Sequence, residues 1–153
     1  MNLLLALVLA MQAEPAGDLE RQTRKSLRDR GAILLLAVYA MRSEEVRRLR
    51  LGDIDWKNCC LHIVRHKSRR QEVRPLEPGV GKAIKAYLEY GRPDCSRPEV
   101  FVTSRAPYRP LSGAGLSNLV RRHFERVLKP GRRVGSHALR HACARHLQSE
   151  GFS

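Results

Sequence analysis

Ala32-Ile33-Leu34-Leu35-Leu36-Ala37-Val38-Tyr39-Ala40-Met41, followed at once by Arg42-Ser43-Glu44-Glu45-Val46, is the stretch on which the fold turns. The first part is apolar on every side, the pattern of a helix buried all round rather than on one face. Ser43 can cap a second helix, and Glu44 and Glu45 fall in its first turn, where acids suit the positive end of the helix dipole. That helix is predicted to run to about Leu51. Arg42 sits at the junction, a long cation mounted on a rigid core.

Upstream, the charged segment Asp18 to Arg30 leads into the buried helix, and Glu14-Pro15-Ala16-Gly17 reads as a loop. Met1 to Ala16 has the apolar run and small residues of a secretory signal. No Lys or Arg precedes that run, so a first amphipathic helix, or what is left of one, is the preferred reading. Downstream, Cys60-Leu61-His62-Ile63-Val64 and Glu72-Val73-Arg74-Pro75-Leu76 flank the basic stretch Arg65 to Gln71. They predict a hairpin with a basic tip, and Pro75 confines the second strand to an edge or a strand end. Pro78 opens a helix through Tyr90, with Val80, Ile84, Tyr87 and Leu88 on one face. Val100-Phe101-Val102 is a short apolar piece within a loop. Ser112 begins a helix to about Leu128, and Ser136 caps a last one from His137 to about Ser149. The fold class is mainly α with a small antiparallel β-sheet, of two or three strands.

The chain has 153 residues, with 29 Lys or Arg against 15 Asp or Glu, a net charge of +14. That length predicts one domain with a core of its own. Its longest apolar runs fall short of the roughly 20 residues a membrane-spanning helix needs. The charge asks for a polyanion: nucleic acid first, a membrane surface second, a structural basic role third. From Ser104 to Ser149 there are ten Arg or Lys and one acid, Glu125, a one-signed surface that suits phosphates. Cys59, Cys60, Cys95 and Cys143 form no C-x-x-C pair and read as free thiols of a cytoplasmic protein.

Four residues carry candidate chemistry. Arg42 could clamp a phosphate, because a guanidinium fork matches phosphate oxygens; it is also readable as a surface cation paired with Glu45. Lys67, among Arg65, Arg69 and Arg70, could give a proton to a leaving alkoxide or be one more solvated base on a turn. His137 and Arg140 share a helix face near an N-terminus, where free N–H groups attract anions. His137, His141 and His146 do not share one face, so no metal site is expected. No G-x-S-x-G, Walker loop or H-E-x-x-H is present.

Three blocks in order carry a resemblance. Tyr39 to Val46, continuing to Leu49 and Asp53-Ile54-Asp55, is similar to the first signature of tyrosine recombinases of the phage-integrase type. Arg65-His66-Lys67 through Pro75-Leu76 resembles that family's hairpin with its catalytic lysine. Ser136-His137-Ala138-Leu139-Arg140-His141 resembles its H-x-L-R-H block. The resemblance covers about Arg28 to Ser153, and residues 1–27 are left as a helical remnant or linker. It implies the catalytic-domain fold of DNA breaking-rejoining enzymes and double-stranded DNA as partner, with other protomers possible and no membrane. It implies strand cleavage through a phosphotyrosyl intermediate, with no cofactor and no metal.

By the resemblance, Arg42 and Arg140 neutralise the phosphorane, Lys67 is the general acid and His137 assists proton transfer. Glu45 supports the site, and Arg65, Arg69, Arg70, Arg121 and Arg122 contact DNA. Glu72 stands where many members carry Arg, an exchange expected to weaken phosphate contact. The family's nucleophilic Tyr follows the H-x-L-R-H helix. Here the tyrosines are Tyr39, Tyr87, Tyr90 and Tyr108, all before it. The expectation is therefore a C-terminally incomplete recombinase fragment, inactive alone, which leaves open whether the chain counts as an enzyme. The alternative is a non-enzymatic DNA-binding module that modulates a full-length recombinase.

Overall fold

The structure, a computed structural model, describes residues 24–65 and 67–125. The apolar run forms α1, Arg24–Val38. Leu34, Leu35 and Leu36 are wholly buried, because α1 is walled by the helices that follow on several sides. The helix stops at Val38, short of Met41. Ala40 takes a left-handed conformation with φ of 48°, which ends a right-handed helix and turns the chain. Tyr39, expected within the buried helix, lies just past its end and is half-buried.

α2 spans Ser43–Arg48, and its N-cap is Arg42 rather than Ser43. The boundary is set from inside the helix: the Arg42 backbone N–H donates to Glu45 Oε2 at 2.8 Å, the reciprocal half of a capping box. α2 also ends before Leu51. Val100 N donates to Leu49 O at 2.8 Å and Leu51 N donates to Pro98 O at 2.9 Å. Those bonds to the 98–100 segment replace the ones that would have continued the helix, and a short 3₁₀ turn, Leu51–Asp53, follows.

The sheet has three antiparallel strands in the order β1-β2-β3: β1 is Ile54–Asp55, β2 Cys60–Val64 and β3 Gln71–Pro75. On β2, Leu61 and Ile63 face the core and are buried while their neighbours are not, the alternation of a half-covered sheet. β3 begins and ends one residue earlier than the sequence suggests. Pro75 closes this edge strand, where its missing N–H costs no ladder bond.

α3, Pro78–Ala86, passes into a single wide turn, Tyr87–Gly91, rather than continuing as an α-helix to Tyr90. A methyl group on Gly91 would lie 2.9 Å from Tyr87 Cδ1 and 3.1 Å from Arg24 O, so only glycine lets this turn approach the start of α1. The Tyr87 ring stacks on Phe101 at 5.6 Å, and Val102 N donates to Tyr87 Oη at 3.3 Å. The Val100–Val102 piece read as part of a loop is thus core. Buried Arg28 supports it from α1, donating to Val102 O at 3.3 Å while pairing with Asp29 at 2.9 Å.

α4 spans Gly113–Glu125. Its cap is Ser112, whose Oγ accepts from Gly115 N at 2.9 Å, at the residue where the sequence starts this helix. Leu116, Leu119 and Val120 form its buried face. Residues 1–23, the end near Leu128 predicted for this helix, and the helix predicted from His137 lie outside the described residues. Among the described residues no helix is long and apolar enough to cross a membrane, and Cys59, Cys60 and Cys95 are free thiols.

Candidate active site

The hairpin and the N-terminus of α2 meet at Glu45. Its side chain is only 2% exposed. Oε2 accepts both the Arg42 backbone N–H and Arg65 Nη1, each at 2.8 Å. Arg65 uses its other terminal nitrogen on Glu72 Oε2, at 3.0 Å. In the β2–β3 register Ile63 faces Glu72, so Arg65 and Glu72 lie diagonally on one face of the hairpin, within reach of long side chains. Arg74 adds a looser contact to Glu72 at 3.5 Å. Partial burial works against the Arg65 charge, but Glu72 and Glu45 outweigh it and hold the guanidinium more firmly protonated.

This cluster relates two candidate residues distant in sequence. Arg42 is half-buried at the α2 N-cap, on one side of Glu45. Lys67 is exposed in the hairpin turn, two residues beyond Arg65. Arg69 and Arg70 are exposed on the same turn, and Arg121 and Arg122 on α4. Arg65, grouped with them by sequence as a DNA contact, instead has both terminal nitrogens turned onto carboxylates. Glu72, on the paired strand, puts an anion where Arg65 can reach it. His137 and Arg140 lie outside the described residues. Among the described residues no three His, Cys, Asp or Glu are grouped to hold a metal ion.

A second tie, unmarked by any motif, fixes the base of the hairpin. Tyr39 Oη donates to Pro75 O at 2.7 Å and accepts from Glu77 N at 2.9 Å. Burial pushes the Tyr39 phenol up, against the opposing hydrogen bond from Glu77. Tyr87 is likewise pushed up by burial. Both hydroxyls serve the fold. A cleft of about 630 Å³ opens beside the cluster, with Glu45, Arg47, Arg50 and Asp53 on its walls; its mixed charge makes it a poor pocket for a lone anion.

The ion pairs have a pH signature. The hydrogen bond from Arg65 holds the Glu72 carboxyl below its usual 4.5, against a smaller desolvation effect. A depressed carboxylate stabilises the fold above its unfolded pKa and loses that contribution as pH falls through the folded value. Melting temperature should therefore fall below about pH 4.5, and less in Glu72→Gln than in the parent. Glu72 is more than a third exposed, so the difference is under about 1 kcal/mol. Identical melting profiles for the two proteins from neutral pH to pH 3 would remove the claim.

Solved structures share this architecture. The crystal structure of XerA recombinase superposes with a TM-score of 0.72 at 18% identity, over 99% of this chain and 51% of that one. XerH site-specific recombinase bound to its difH substrate, in a pre-cleavage complex, gives 0.72 at 22% identity, over 99% and 43%. The fold is therefore that of tyrosine recombinase catalytic domains. The chain itself belongs to the phage integrase family, which matches residues 10–153. A putative integrase/recombinase, y4gC of Sinorhizobium fredii, is 40% identical over 127 residues, 82% of this chain and 65% of that protein. Tyrosine recombinase XerA of Thermococcus kodakarensis is 33% identical over 129 residues, 84% of this chain and 44% of that protein. The chain thus spans less than two thirds of the length of these relatives.

Proposed function

We propose that these residues bind double-stranded DNA and supply the phosphate-neutralising part of a site-specific recombinase site. The observation that carries this reading is the Glu45-centred cluster, which ties the helix end bearing Arg42 to the hairpin bearing Lys67. In this mechanism Arg42 and Arg140 stabilise charge building on the equatorial oxygens of one backbone phosphorus. A tyrosine oxygen attacks that phosphorus, the bond to the 5′-oxygen breaks, and Lys67 protonates the departing oxygen. His137 assists proton transfer at the phosphate. Arg69, Arg70, Arg121 and Arg122 bind neighbouring phosphates and set register without reading sequence.

The nucleophile does not come from the four tyrosines in these 153 residues. Tyr39 and Tyr87 are committed to backbone partners, and Tyr90 and Tyr108 precede the H-x-L-R-H block. It comes from residues other than these, in the same protein or in a second protomer. The test is a nicked suicide duplex incubated with the 153-residue chain. Retarded DNA with no covalent protein–DNA band in denaturing gels is expected. A covalent band would refute the assignment of the nucleophile, and absence of any retardation at low salt would refute DNA binding.

A further inference from the structure

We infer that Arg65 is a positioning residue, not a DNA contact: it sets where Lys67 stands relative to Arg42 by bracing the hairpin against α2. This rests on the reading that Arg42 and Lys67 act at a DNA phosphate.

The hairpin is joined to the α1–α2 region by two different struts. At its base, Tyr39 Oη holds Pro75 O and Glu77 N. Near its tip, Arg65 joins Glu72 of β3 to Glu45 of α2. Leu61 and Ile63 bury β2 as far as Ile63, but beyond it and along β3 the hairpin has little packing: Val64, Val73 and Arg74 are exposed, and β3 is an edge strand. A short, exposed two-stranded tip is mobile unless something holds it. The base strut lies at the opposite end of β3 from the turn, so orientation of the tip falls to Arg65. The guanidinium suits the task, since its fork engages two carboxylates at once in a fixed plane. Glu45 in turn accepts the Arg42 backbone N–H. One carboxylate oxygen therefore registers both elements, and the Arg42 and Lys67 side chains are each free of the brace itself.

The experiment uses the full chain, a short DNA duplex at low salt, and acetylation of lysines read by mass spectrometry. Lys67 is compared with Lys82, exposed on α3, in the same sample at matched DNA saturation. In the parent protein, DNA should slow acetylation of Lys67 by about tenfold, the scale of one charge-assisted contact. In Arg65→Met that protection should fall below about threefold, while the salt slope of binding is unchanged. Were Arg65 a phosphate contact, the slope would instead drop by about 0.9.

Arg65→Lys, which can reach one carboxylate but not fork to two, should give intermediate protection; so should Glu72→Gln. Both serve if Arg65→Met does not fold. Undiminished Lys67 protection in every folded variant overturns the inference and leaves the DNA reading standing. A reduced salt slope in Arg65→Met also overturns it, returning Arg65 to the phosphate contacts. Parent protein that binds DNA with Lys67 unprotected overturns the placement of Lys67 at the phosphate, and the inference with it.

Discussion

Affinity for duplex DNA is expected to fall about five-hundredfold between roughly 50 and 200 mM monovalent salt. The reasoning is counterion release. Each phosphate neutralised by a protein cation frees condensed ions, and each contributes about 0.9 to the log–log slope. Arg69, Arg70, Arg121 and Arg122 each neutralise a phosphate and Arg42, Lys67 and Arg140 share a fifth, giving a slope of about −4.5. Replacing Arg69 and Arg70 together by alanine should lower the slope by about 2, equally for unrelated duplexes, because phosphate contacts carry no sequence information. Fluorescence anisotropy over a salt series measures both. An affinity indifferent to salt would mean that the net charge of +14 is not a phosphate-binding device, and the proposed function would go with it.

The largest effect on stability should come from Phe101→Ala, a loss of about 3–5 kcal/mol in urea unfolding. Phe101 is fully buried and stacks on Tyr87. A methyl placed on Gly31 of α1 would lie 3.2 Å from the Phe101 ring, so α1 is drawn in close against it. Helix α1, the Tyr87 turn and the 98–102 segment therefore share one contact, and these rigid elements cannot all collapse into the space left behind. The cost is a large share of the roughly 5–15 kcal/mol that holds a domain folded. Trp56→Ala is the useful contrast, since Trp56 is 42% exposed and its loss opens no closed cavity. A Phe101→Ala protein within about 1 kcal/mol of the parent would show that the segment repacks freely.

Much of this architecture follows from local chemistry. The run from Ala32 is buried because no face of it is polar. Ser112 caps α4 and Pro75 ends an edge strand for reasons contained in single residues. The charge asymmetry and three ordered motifs were enough to point to the family, and both the fold and the family agree. Element boundaries were less legible. α1 stops early because of the Ala40 backbone, and α2 stops early because the 98–100 segment captures its backbone groups, a partner about fifty residues away that no local window contains.

The site divides along the same line. Sequence determined which residue types are available: Arg42, Glu45 and Lys67 in motifs, basic residues around a turn, and a net charge that demands a polyanion. The resemblance also marked Glu72 as a departure expected to weaken phosphate contact, but not as a partner for Arg65. Only the tertiary structure decided that Arg65 spends its guanidinium on Glu45 and Glu72, and that Tyr39 anchors the hairpin base. A charged side chain takes whichever opposite charge its register and neighbouring elements bring within about 3 Å. That choice is made in three dimensions, after the strands have paired and α2 has docked.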